Sequence, residues 1–329
     1  MSEIALSIIS PMFNEEENVS VTVGRIGEAL AGLKEAWELV LVDDGSTDGT
    51  LAVARELESR HEWLRVVGYS PNRGRGMALR TGFAEARGKF IVTTDFDLSY
   101  SPDHIKRIYD ELAANPDLDM VLGSAYMPGG TVKDVPWRRH LVSRAGNRVL
   151  SFAMGGSYKT ITCILRGYKR ESLLELEMEE EGKEIHLEIL SRAHALGYRI
   201  KEIPADLRGR TGGTSKFKFG STSTSHLLFS LLERPTMIFG AVGFSLFLMG
   251  IIAGLFIVVM RYQGTLNPTR PLVTLMTILV IAGIQIFTLG FMSLLLVNLR
   301  KEIYRVQQQN RRLEIFLGRL DKKSGGEEK

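Results

Sequence analysis

The sequence predicts an α/β domain, a mostly parallel sheet flanked by helices, followed by an interfacial amphipathic helix and two transmembrane helices. Two observations predict it. Short β-branched runs alternate with amphipathic helical stretches through the first half of the chain. Near the C-terminus, residues 236–260 and 271–298 contain no Asp, Glu, Lys or Arg. Each run exceeds the roughly 20 residues a helix needs to cross a bilayer core.

The strand candidates are 4–9, 39–42, 64–67, 90–94 and 120–123, near-continuous apolar runs of the kind buried parallel strands show. Between them, 19–33, 50–59 and 75–86 place apolar residues three and four apart and read as helices. Ser101-Pro102-Asp103 reads as a helix start, with Ser as N-cap, Pro in the first turn and an acid near the positive end. From 127 to about 157 the pattern loosens, and Gly129-Gly130 followed by the basic stretch 133–148 suggests a mobile loop and then a helix. Residues 221–234 read as an amphipathic helix at the interface, the alternative being a surface helix on the globular domain. Ile303, Val306, Asn310, Leu313, Leu317 and Leu320 follow a heptad with one polar core position. Gly250 and Gly254 form a small-residue pair that permits close helix packing. Together they predict a homo-oligomer; the alternative is a helix folding back on its own chain. The domains are therefore 1–220, 221–235, 236–299 and 300–329.

Composition narrows the class. A net charge of +3 and the lack of a long basic run argue against nucleic acid as a partner. The single cysteine, Cys163, excludes an internal disulfide and a cysteine-based zinc cluster, and fits a reducing cytosol. The connector between the spans holds only Arg261 and Arg270 as basic residues, whereas Arg208, Arg210, Lys216, Lys218 and Arg234 precede the spans and Arg300, Lys301, Arg305, Arg311, Arg312 and Arg319 follow them. That asymmetry predicts an integral membrane protein with both termini and the main domain cytoplasmic.

Three acidic or polar segments fall at strand ends, where open α/β sheets bind ligands. Ser10-Pro11-Met12-Phe13-Asn14-Glu15-Glu16 follows the first strand, and Asp43-Asp44-Gly45-Ser46-Thr47-Asp48-Gly49 ends the second. The first doubles as a helix start, and Asp48 doubles as a helix cap. Asp95-Phe96-Asp97 follows the fourth strand. Carboxylates two apart on an extended segment share a face and can hold a hard divalent cation together with a diphosphate.

The stretches SIISPMFNEEENV, VDDGSTDGT, NRGRGMALRTGFAEARGKFIVTTDFDLSYSP and RGRTGGTSK resemble glycosyltransferase family 2, which has the GT-A fold. The two trailing spans make the chain similar to polyprenyl-phosphate glycosyltransferases, such as dolichol-phosphate mannose synthases and undecaprenyl-phosphate sugar transferases. The resemblance runs from about Ile4 to Lys216 and, with the spans, to about Arg300. It implies that Pro11, Asn14 and Glu16 border the nucleoside and that Asp44, with Asp43, reads base or ribose. It implies that Asp95 and Asp97 serve Mg²⁺ or Mn²⁺ and the donor diphosphate, and that Arg139 and Ser143, with Arg138, grip a lipid phosphate. Arg210, Ser215 and Lys216 match the element that closes over the diphosphate.

The implied reaction is inverting transfer of a hexose from a nucleotide sugar to a polyprenyl or dolichyl monophosphate at the cytosolic face, with GDP-mannose the first donor and UDP-glucose the second. Two departures matter. Ala125 stands where many relatives carry Arg, and Thr160 stands where many carry an acid, which Glu184 or Glu188 would then replace. His186 and His194 read as structural. The competing readings are a processive polysaccharide synthase, whose Q-x-x-R-W motif is missing after Trp137, and a non-catalytic nucleotide-binding scaffold.

Overall fold

The computed structural model describes residues 3–134, 143–144, 147–148, 151, 158–208, 235–264 and 271–324. Arg138, Arg139, Arg210, Ser215, Lys216 and the interfacial helix lie outside the described residues. The chain divides into two compact units, one of Met1–His226 with Tyr304–Lys329 and one of Leu227–Ile303.

In the first unit the alternation becomes β1 (Leu6–Met12), α1 (Val19–Leu30), β2 (Trp37–Asp44), α2 (Thr50–Glu58), β3 (Leu64–Tyr69), α3 (Arg75–Glu85), β4 (Phe90–Thr93), α4 (Asp103–Ala114) and β5 (Met120–Ser124). Then come β6 (Thr131–Lys133), β7 (Arg166–Lys169), α5 (Arg170–Leu174), α6 (Ile185–Ala195), β8 (Ile200–Pro204) and β9 (Asp206–Arg208). The main sheet runs β3-β2-β1-β4-β7-β5-β8, and β6 pairs with β9 in a small second sheet. Every pairing is parallel except those of β7, which lies antiparallel between β4 and β5. Leu6, Ile8, Leu39, Leu41 and Val92 of the central strands are completely buried. The order reverses between β1 and β4, the crevice where α/β sheets take ligands.

Two local expectations change. The first strand ends not at Ile9 but at Met12, because pairing with β4 stops at Ile9↔Thr93 while pairing with β2 continues to Met12↔Asp43. Pro11, which cannot donate a ladder bond, is tolerated where the strand has a neighbour on one side only. At the start of α4 the Ser101 hydroxyl bonds the Asp103 carboxylate at 2.9 Å and caps no backbone amide.

The second unit is built on α7 (Pro235–Tyr262), and α8 (Pro271–Ser324) begins there and ends in the first unit. Both helices are long and apolar enough to cross a membrane. Their side chains face outward, Val258 and Leu296 each being 65% exposed. Gly243, Gly250, Gly254 and Gly283 lie between the helices. A Cβ on Gly243 would meet Phe287 N at 2.5 Å, one on Gly283 would meet Phe247 N at 2.5 Å, and one on Gly250 would meet Val280 Cγ2 at 2.7 Å. Gly254 faces Met276. The small-residue pair therefore packs against the other span of the same chain.

Candidate active site

The loops after β1 and β2 are stitched together by the polar residues that the sequence singles out. Asn14, at φ +52°, donates its N–H to Ser46 Oγ at 2.9 Å and accepts the Thr47 N–H on Oδ1 at 2.8 Å. Glu16 Oε2 accepts the Gly49 N–H at 2.9 Å, and a Cβ on Gly49 would lie 2.4 Å from the same carboxylate. Asp43 accepts both the hydroxyl and the N–H of Ser46. Asp48 accepts the Thr50 N–H at the start of α2. Asp44 is turned the other way. Its buried carboxylate accepts from Tyr69 Oη at 2.8 Å, Asn72 Nδ2 at 2.9 Å, the Arg73 N–H at 2.8 Å and the Gly74 N–H at 2.9 Å. Burial and this neighbour raise the Tyr69 phenol well above its ordinary value. Pro11 is half-buried on the last turns of β1.

Asp95 and Asp97 follow the tip of β4, next to the β1–β4 switch point. The segment is a turn, not an extended run: the Leu98 N–H closes onto the Asp95 carbonyl at 3.2 Å, and Leu98 has φ +49°. The carboxylates still face outward because Phe96 and Leu98 are buried in the core. The Thr22 hydroxyl pins the Phe96 carbonyl at 2.9 Å, and Asp97 Oδ1 accepts the Ser99 N–H at 3.0 Å. Arg75, the first residue of α3, brings its guanidinium to 3.6 Å from Asp95 Oδ1. Among the described residues no group of three or more His, Cys, Asp or Glu could hold a metal ion. Two half-exposed carboxylates beside a cation fit a hard divalent ion whose remaining ligands come from a bound anion.

A family model described as glycosyl transferase family 2 matches residues 7–176. The chain belongs to that family. A polyprenol monophosphomannose synthase of Mycolicibacterium smegmatis is 34% identical over 64% of this chain and 79% of its own length. A dodecaprenyl-phosphate galacturonate synthase of Rhizobium johnstonii is 29% identical over 89% of this chain and 88% of its own. Among solved structures, glucosyl-3-phosphoglycerate synthase from Mycobacterium tuberculosis, in complex with Mn²⁺, uridine diphosphate and phosphoglyceric acid, superposes with a TM-score of 0.55. It is 21% identical over 70% of this chain and 78% of its own, a likeness of fold alone.

Residues late in the sequence pack beside this candidate site. Segment 179–184 hangs on α3, where the Glu181 carbonyl accepts the Gly76 N–H at 2.7 Å and a Cβ on Gly76 would strike the Glu180 carbonyl. Glu188 holds this segment: its buried carboxylate accepts the Glu179 N–H and the Glu180 N–H, each at 3.0 Å, and pairs with Arg192 at 2.8 Å. Its carboxylate thus ties the loop to α6. The Thr160 hydroxyl shares a hydrogen bond with Ser124 at 2.8 Å, and the acid beside it is Glu202, which accepts the Thr160 N–H at 2.8 Å. Glu184 stands half-buried at the start of α6. Ser143 accepts a hydrogen bond from Tyr126 Oη at 2.9 Å, just beyond Ala125.

Sequence reasoning overlooked Arg75 and Glu202. For Arg75 the signal was present: basic residues between glycines, at a helix start that follows a strand, face the sheet's carboxyl edge. Arg166 is completely buried and donates to the carbonyls of Cys163, Ile161 and His186.

Proposed function

We propose that this chain transfers a hexose from a nucleotide sugar to a polyprenyl monophosphate, inverting the anomeric centre, at the cytosolic face of a membrane crossed by α7 and α8. The single observation behind this reading is the Asp95–Asp97 turn at the switch point, with Arg75 beside it, on a chain carrying two helices long enough to span. Both relatives described above are named for polyprenyl phosphates but for different sugars, so acceptor class is better supported than donor. GDP-mannose is the first donor to test and UDP-glucose the second.

In this reading an acceptor phosphate oxygen attacks the anomeric carbon as the bond from that carbon to the nucleoside diphosphate breaks. A phosphate monoester has a second pKa of about 6, so the nucleophile is already anionic near neutral pH and needs no protein base. The residues position the reactants and stabilise charge on the departing group. Asn14, Glu16 and Asp43 shape the nucleoside end with Pro11, and Asp44 acts there through the 72–74 loop it holds. Asp95 and Asp97 would hold Mg²⁺ or Mn²⁺, which supplies a positive charge at the diphosphate. Arg138, Arg139 and Ser143 grip the lipid phosphate, and Arg210, Ser215 and Lys216 close over the diphosphate. The basic residues flanking the spans support a cytoplasmic position for both termini. Pairing of the exposed heptad positions Ile303, Val306, Leu313 and Leu317 with a second copy is the proposed assembly.

The deciding experiment incubates the purified protein in lipid with labelled GDP- and UDP-sugars, Mn²⁺ and polyprenyl phosphate, and identifies the glycolipid formed. Asp97→Asn is expected to lower kcat/KM by about 10²- to 10³-fold with an unchanged melting temperature. Wild-type rates in that variant would refute the assignment of the acidic pair.

A further inference from the structure

His186 is the second residue of α6, is 2% exposed, and has no hydrogen-bond partner among the described residues on either ring nitrogen. Buried polar atoms are almost always paired, and an orphan asks for an explanation. Its main chain is well tied, since its carbonyl accepts from Arg166 Nη1 at 2.8 Å. The unanswered groups are in the ring alone. Of the other buried or partly buried histidines, His104 accepts the Asp206 N–H at 2.8 Å and His61 stacks beside Trp63. His186 stands apart.

Its position connects it to the site. The charges that reach it are Arg166 and Arg75. Arg75 pairs with Asp95, and Arg166 lies in register with Thr93 at the tip of β4. Burial first, and then these two guanidinium groups, hold the imidazole well below its ordinary pKa, so it is neutral near pH 7. A neutral imidazole offers one N–H donor and one acceptor nitrogen. A diphosphate or a phosphate monoester presents only acceptors and is matched by cations such as Arg75. A sugar hydroxyl, which both donates and accepts, matches the imidazole.

We propose that His186 hydrogen-bonds a hydroxyl of the transferred sugar and is a specificity-determining residue for the donor. This inference rests on the proposed function only in taking the donor to be a nucleotide sugar; it is indifferent to the acceptor. The segment 179–184 that leads into His186 is hung from α3 by main-chain bonds from Gly76 and Met77 to Glu181, which ties the start of α6 to the helix that carries Arg75.

The test measures binding to the full-length protein in lipid nanodiscs, with Mn²⁺, of GDP-mannose, UDP-glucose and the two nucleoside diphosphates that lack the sugar. His186→Leu is expected to weaken the bound nucleotide sugar about tenfold while nucleoside diphosphate affinity stays within about twofold. His186→Gln is expected to restore most of the loss and to change the ratio between donors that differ at one hydroxyl. Should His186→Leu fail to fold, His186→Gln and His186→Asn carry the comparison, because the two amides reach different hydroxyls. Equal loss for sugar-bearing and sugar-free ligands, or no loss for either, overturns the inference. A wild-type protein that binds a nucleotide sugar but makes no glycolipid overturns the proposed acceptor and leaves His186 standing. One that binds nucleoside diphosphates but no nucleotide sugar removes both.

Discussion

Asp44 commits its carboxylate to a phenol, an amide and two backbone N–H groups, all from residues 25 to 30 positions downstream. Replacing it by Ala removes the one buried carboxylate that all four donors share. The expected cost is roughly 3 kcal/mol, read as a lower urea midpoint at unchanged slope. Glu38 gives a pH signature. Burial alone would raise its pKa, but hydrogen bonds from the Ser7 hydroxyl and the Arg87 N–H, with the charges of Arg87 and Arg65, outweigh burial and hold it below the usual carboxylate value. The folded state therefore binds this proton less readily than the unfolded chain. The contribution is complete above the ordinary carboxylate pKa and is lost as pH falls below it. Glu38→Gln is expected to lower stability at pH 7 and to flatten the fall in urea midpoint between about pH 5 and about pH 3. An unaltered profile would place the acid sensitivity elsewhere.

Elements inherit these constraints. The Asp95–Leu98 turn points two carboxylates outward because two intervening apolar side chains are drawn into the core, a result that β-strand alternation alone would also give but by a different backbone path. In the hairpin of α7 and α8, close backbone approach is set by glycine. Gly243→Leu forces side-chain atoms into Phe287 and is expected to cost about 1–3 kcal/mol, seen as a lower melting temperature in detergent. Gly240, with nothing within 4 Å of its Cβ position, is the matched control and should tolerate Leu. The heptad of α8 reads correctly as a helix, yet Tyr304 and Gln308 on a neighbouring face dock onto the catalytic unit while Ile303, Val306, Leu313 and Leu317 stay exposed.

At the scale of the molecule, that docking joins the far end of α8 to the loops around the site. The Tyr304 ring lies 4.8 Å from the Arg192 guanidinium, and Gln308 Nε2 donates to Glu175 at 2.8 Å. Arg192 in turn pairs with Glu188, which holds the 179–180 amides. Tyr304→Ala is expected to cost about 1 kcal/mol of docking and to speed hydrogen exchange in 304–324 and in 179–184 together. Faster exchange in the helix alone would mean that the two are not coupled.

The layered α/β order, the two apolar spans and the three strand-end motifs were legible from residues in sequence, because periodicity, charge-free length and carboxylate spacing are local properties. Even the family could be read there. What only the tertiary structure decided depends on pairings between distant segments: β7 slipping antiparallel between β4 and β5, Arg75 reaching Asp95, Glu188 turning to the 179–180 amides, and His186 left with both nitrogens unanswered. No local rule fixes these, since each partner is chosen by the packing of the whole sheet edge against residues up to about a hundred positions away.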